Sequence, residues 1–217
     1  MALALFDLDN TLLDGDSDYL WGCFLVEHGI VDGETYRSEN QRFFAQYLAG
    51  SLDIHEFLRF QLHPLATHKR YQLEQWREQF LQQKIDPVLL PKARELLERH
   101  RRQGDELLII TATNRFITGP IAERYAVPHL LATEPELYNG EYTGEVSGTP
   151  CFQAGKVERL ESWLEAQGQN LAGSWFYSDS HNDLPLLERV DHPVAVDPDD
   201  RLRALAGERG WPTISLR

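Results

Sequence analysis

The chain has 217 residues, with 21 Lys and Arg against 34 Asp and Glu, and a formal charge of −13 at neutral pH. Such a surface repels polyphosphate, so no nucleic-acid or anionic-membrane partner is expected, while a small phosphate in a local site is not excluded. A hydrophobic content of 42%, with 5 Trp, 8 Tyr and 10 Phe, suffices for a core and excludes wholesale disorder.

No apolar run approaches the roughly 18 residues that span a bilayer. The apolar start is broken by Asp7 and Asp9 and lacks a basic leader, so no secretory signal is expected. Cys23 and Cys151 lie far apart without CxxC or Cys/His spacing, which predicts neither a disulfide framework nor a zinc site and points to a reducing, cytoplasmic location.

In chain order, five short apolar runs read as buried strands: residues 2–6, 107–110, 129–132, 175–177 and 194–196. Each stops at a polar residue (Asp7, Thr111, Thr133, Ser178-Asp179, Asp197), as strands covered on both faces do. Helical periodicity lies between them, over residues 87–101, 115–125, 156–166, 184–189 and 200–208. The alternation predicts an α/β fold, a Rossmann-like, mainly parallel sheet sandwiched by helices. Asn139-Gly140 between β-prone flanks adds a small hairpin.

One stretch breaks the alternation. Residues 16–86 contain no strand-like run, only helix-period segments, the clearest at 19–28, 35–48 and 53–62. This predicts an all-helical cap inserted after the first strand, with residues 1–15 and 87–217 forming the core.

Asp7 and Asp9, spaced by two, follow the first buried strand. In open α/β sheets ligands bind at the carboxyl ends of strands, although acids also end strands simply because loops are wet. Two close carboxylates repel unless a cation or shared proton relieves them, and oxygen-only ligation suits Mg²⁺. Thr111, Lys156, Asp179 and Asp183 at later strand ends and loops add a hydroxyl, an ammonium and a second acidic pair. Together they read as a phosphate-plus-metal site.

These segments resemble the haloacid dehalogenase-like hydrolases, in the phosphoserine-phosphatase-like branch with a helical cap. Asp7-Leu8-Asp9-Asn10-Thr11 matches the motif DxDx[TV], Thr111 the second motif and Lys156 the third. Asp179-Ser180-His181-Asn182-Asp183 matches the acidic fourth motif, with Ser178 where Gly is common. The resemblance implies phosphomonoester hydrolysis through an aspartyl-phosphate on Asp7. Asp9 would act as general acid and then base, so its carboxyl is expected to titrate above that of Asp7. Mg²⁺ would be held by Asp7, the Asp9 carbonyl and Asp179, with Asp183 on metal-bound water. Lys156 would neutralise Asp7 and phosphate, Thr111 would donate to a phosphate oxygen, and Ala112, Thr11 and Asn182 would stand on the substrate side.

The cap carries the substrate reading. Nine positions after the nucleophile the branch places an acid on the substrate ammonium, here Asp16. At the position of the arginine that grips phosphoserine's carboxylate stands Gln61, with Arg59 on another side of the helix. Amine recognition without carboxylate recognition predicts a phosphorylated amino alcohol, L-histidinol phosphate; phosphoserine and a catalytically silent binding module are the alternatives. Tyr19, Trp21, Phe43, Phe44 and Tyr47 either stack on an imidazole or fill a core. His181 is expected near the site without chemistry. A monomer or small homo-oligomer is expected.

Overall fold

In the computed structural model, which describes residues 2–217, the first apolar run forms β1 (Leu3–Phe6), buried on both faces. It sits at the centre of a six-stranded sheet with β2 (Glu106–Asn114), β3 (His129–Thr133), β6 (Trp175–Ser178), β7 (His192–Val196) and β8 (Thr213–Ile214), in the order β3-β2-β1-β6-β7-β8. Every pairing is parallel, Leu5 standing between Leu108 and Phe176. The two-residue alternation of strands splits the core into two layers. Leu3, Leu5, Leu108, Ile110 and Phe176 pack beneath α7 (Ala154–Gln167), α8 (Leu184–Leu187) and α9 (Asp200–Arg209). Ala4, Phe6, Leu107, Ile109 and Tyr177 face α5 (Pro91–Gln103) and α6 (Arg115–Arg124). The α/β sandwich expected from the pattern is therefore present. The sequence reading lacked β8, a two-residue edge strand with no buried residue.

The insertion is helical: α1 (Ser17–Glu27), α2 (Gly33–Ala49), α3 (Ile54–Thr67) and α4 (Arg70–Phe80) follow β1. Asp16, Asp32 and Asp53 cap the first three through main-chain N–H groups, the usual use of a short acid at a helix start. The fourth helix escaped the pattern because only Leu73 and Phe80 of its residues are buried. A π-helical turn (Leu81–Ile85) and a short 3-10 turn (Asp86–Val88) return the chain to the core, so the predicted helix at residue 87 starts at Pro91. The outgoing and returning chains meet side by side, Leu13 bridging Leu89 and the Asp14 N–H donating to the Val88 carbonyl at 2.9 Å.

Trp21, Phe24 and Phe80 belong to the same hydrophobic cluster as Phe6, Ile109 and Phe116, so one side of the insertion is continuous with the core. The hairpin forms as expected. β4 (Pro135–Tyr138) and β5 (Glu141–Val146) are antiparallel, and Asn139 and Gly140 both take positive φ, 51° and 83°, the two-residue turn that Asn-Gly favours. Its second strand lies against the cap, Glu141 accepting from the Arg70 N–H at 2.9 Å. Among the described residues no helix is long and apolar enough to cross a membrane, and both cysteines are free.

Candidate active site

The site forms where the carboxyl ends of β1, β2 and β6 converge, at the reversal of strand order that makes a crevice in such sheets. Asp7 ends β1, its N–H donating to the Tyr177 carbonyl at 2.9 Å. Lys156 enters from the first turn of α7. Gly155 permits this, since a Cβ there would stand 2.1 Å from the Pro150 carbonyl oxygen. The ammonium is 3% exposed and lies 2.7 Å from Asp7 Oδ1 and 2.8 Å from Asp183. Both Asp183 oxygens are engaged, by Lys156 and by the Ser178 hydroxyl at 2.7 Å.

Asp9 accepts from the Ser17 N–H at 2.7 Å and the Thr113 hydroxyl at 2.8 Å, with Thr111 further away at 3.4 Å. Thr113 was missed by the sequence reading. The available signal was strand periodicity, which puts residues 111 and 113 on one face. Thr11 lies behind the acids rather than on the substrate side: it is fully buried, and its hydroxyl reaches Asp179 at 3.0 Å and Asp7 at 3.4 Å.

Burial raises the Asp7 carboxyl to about 7, against the pull of Lys156 and with the help of Asp183 and Asp9. Burial likewise raises Asp9 to about 6, aided by Asp16 and opposed by the Ser17 and Thr113 hydrogen bonds. Asp179 is raised well above the carboxylate range by burial, then by Asp7 and Asp183. Lys156 is pulled down by burial, but Asp183 and Asp7 outweigh this and leave it raised. Burial dominates for both carboxyls; beyond it Asp7 faces Asp183 and Asp9, while Asp9 faces Asp16 and is held by hydrogen-bond donors.

Asp7, Asp9, Asp179 and Asp183 stand against one ammonium, a buried excess of negative charge that suits a divalent cation. The described residues hold no group of three or more His, Cys, Asp or Glu side chains around one point. The donor set available is the two side-chain carboxylates of Asp7 and Asp179, joined by the Thr11 hydroxyl. Mg²⁺, which keeps several waters and takes one or two carboxylates, fits such a set.

Above the acids the cap covers a cavity of about 110 Å³. Asp7, Asp9, Thr111, Ala112, Lys156, Asn182 and Asp183 line its floor, and Asp16, Asp18 and Gln61 its walls. Asp16 lines the cavity while also capping α1 through the Tyr19 N–H at 2.9 Å. Gln61 does so from α3, whereas Arg59 lines a separate groove between α2 and α3, as the helical spacing predicted. Of the cap aromatics, Tyr19, Phe43, Phe44 and Tyr47 line the cavity and Trp21 does not. Trp21 is core, 1% exposed and edge-on to Phe80. Phe57 and Phe152 line the cavity unforeseen.

His181 lines no part of the cavity; its Nδ1 lies 2.8 Å from Asp199. Tyr47 ties cap to core, donating to the Ser180 hydroxyl at 2.8 Å.

The chain is 41% identical to histidinol-phosphatase of Neisseria meningitidis serogroup C over 99% of both chains. It is 34% identical to phosphoserine phosphatase SerB1 of Mycobacterium tuberculosis over 100% of this chain and 71% of that protein. A crystal structure of a protein of unknown function from Bordetella pertussis superposes with a TM-score of 0.94 at 44% identity, covering 100% of this chain and 99% of that one. A substrate-bound phosphoserine phosphatase shares the fold, with a TM-score of 0.72 at 17% identity over 100% of this chain and 93% of that one. The haloacid dehalogenase-like hydrolase model matches residues 4–188, a span that carries Asp7, Asp9, Asp179 and Asp183, and the chain belongs to that family.

Proposed function

We propose that the chain is a Mg²⁺-dependent phosphatase whose substrate is L-histidinol phosphate. The observation that carries the substrate is the charge of the cavity lining: among the described residues Lys156, on the floor, is its one cation, while the walls present Asp16 and Asp18. A substrate carboxylate would find no cation on those walls and two acids, whereas an ammonium finds acids. Gln61, where phosphoserine recognition needs a bidentate arginine, supports the same choice. The name of the relative at 41% identity agrees with it. That of the relative at 34% identity favours phosphoserine as a second reading, which the lining opposes.

In the proposed reaction Asp7 attacks phosphorus, the phosphorus–oxygen bond to the alcohol breaks, and Asp9 gives its proton to the departing alkoxide. Asp9 then takes a proton from water, whose oxygen attacks phosphorus and frees Asp7 and inorganic phosphate. Asp7, Asp179 and the Asp9 carbonyl would hold Mg²⁺, which supplies charge neutralisation when bound. Asp183, with both oxygens engaged, is assigned to the outer position. Lys156 neutralises Asp7 and phosphate, and Thr111 and the Ala112 N–H orient the phosphoryl oxygens. Asn182 borders the phosphate, Asp16 receives the ammonium, and Gln61 sits over the amino alcohol. A cytoplasmic monomer or small homo-oligomer accords with this role. The test is kcat/KM for L-histidinol phosphate and phosphoserine side by side: a preference of at least tenfold for the former is expected, and a preference for phosphoserine overturns the proposal.

A further inference from the structure

Asp18 is not required by the chemistry at phosphorus, and it lies beyond the ammonium-binding position at Asp16. It is 5% exposed and lines the cavity, yet among the described residues its carboxyl has a single side-chain partner, the Asn114 amide at 3.3 Å. A buried carboxylate with one long hydrogen bond retains unused acceptor capacity at a high desolvation cost. A second group points the same way. Gln61 is 2% exposed and lines the same cavity; its carbonyl accepts from the Tyr36 hydroxyl at 2.8 Å, and its amide N–H₂ donates to no acceptor among the described residues. Phe43 and Phe57 add apolar wall. The lining thus combines an acceptor short of donors, a donor short of acceptors and flat apolar surface.

We infer that Asp18 and Gln61 form a second recognition site for a nitrogen heterocycle that both donates and accepts hydrogen bonds, the imidazole ring of the substrate, with Asp18 taking the ring N–H and Gln61 donating to the ring. This rests on the proposed function and assigns a role distinct from the Asp16 contact with the ammonium. A benzene ring would fill the same apolar space and leave both polar groups unmatched, which discriminates strongly in buried sites.

The experiment compares L-histidinol phosphate with L-phenylalaninol phosphate, which keeps the phosphate and ammonium but lacks ring nitrogens, on the wild type and on Asp18→Asn and Gln61→Met. The wild type is expected to favour the imidazole substrate by about ten- to a hundredfold in kcat/KM, the range for leaving a buried polar group unmatched. Asp18→Asn is expected to reduce that ratio at least tenfold. A wild-type ratio below threefold overturns the inference without any variant, so a misfolded Asp18→Asn would not shield it. A full ratio retained in both folded variants overturns it as well. If the wild type prefers phosphoserine to both substrates, the proposed function falls and this inference with it. If histidinol phosphate beats phosphoserine but the ring comparison fails, the heterocycle site alone is refuted.

Discussion

Replacing Lys156 with Met tests the electrostatic frame of the site. The ammonium is 3% exposed and pairs with Asp7 at 2.7 Å and Asp183 at 2.8 Å. Lys156→Met keeps much of the stem and leaves two buried carboxylates without a cation. Breaking a buried pair from one side costs about 3–5 kcal/mol. For a chain of this size that is about 2–4 °C per kcal/mol, so a fall of about 6–20 °C in Tm is expected.

The pH dependence has a definite sign. Asp7 is raised from 3.8 to about 7 even beside Lys156. A raised carboxyl holds a proton in the fold that the unfolded chain has released, so stability is lost as pH rises through that window. Without the ammonium Asp7 titrates higher still and the loss extends upward, so the Tm deficit of the variant is larger at pH 8 than at pH 5. Thermal unfolding followed by near-UV circular dichroism in EDTA, with aryl-phosphate turnover alongside, reads both effects. A variant melting within 3 °C of the wild type at pH 8, or a deficit that grows toward acid, would refute the reasoning.

Three further outcomes are expected. Thr113→Val removes the 2.8 Å hydrogen bond that lowers the Asp9 carboxyl, so the alkaline limb of kcat/KM for an alkyl phosphate moves to higher pH; a limb moving to lower pH contradicts the acid role. Tyr47→Phe deletes the 2.8 Å tie between cap and Ser180, worth about 1 kcal/mol, and raises KM by up to about fivefold, with faster proteolysis of the cap as a second readout. EDTA abolishes turnover and Mg²⁺ restores it. At a hundredfold excess over its Kd, Mg²⁺ also stabilises the wild type by about 2.7 kcal/mol, and Asp179→Asn shows less than half of the accompanying rise in Tm.

Much of the site was legible because its residues sit at features that sequence reveals directly. Asp7 ends a fully apolar strand, and Asp179 follows another, so both acids could be assigned to one sheet edge before any coordinates. Gln61 and Arg59 were separable by helical spacing alone, and they line different cavities. Other residues gave no such sign. Trp21 and Phe43 are both aromatic residues on cap helices, yet the former fills the core and the latter lines the cavity. Phe152 comes from an irregular segment, where no periodicity predicts direction. The fourth cap helix is so polar that its buried residues, Leu73 and Phe80, do not make a stripe.

By itself the amino-acid sequence determined the layered α/β architecture, the helical insertion and the chemical groups that meet at the strand ends, because apolar runs and turn residues act locally. Tertiary structure alone decided how strongly those groups perturb one another. Burial raises both Asp7 and Asp9 above the usual carboxylate range, and Thr11 braces two carboxylates instead of facing substrate. Asp18 is a buried wall of the cavity rather than a solvated turn acid. Desolvation and Coulomb interaction depend on what surrounds a charge from every side, and residues brought in from distant parts of the chain make up that surrounding.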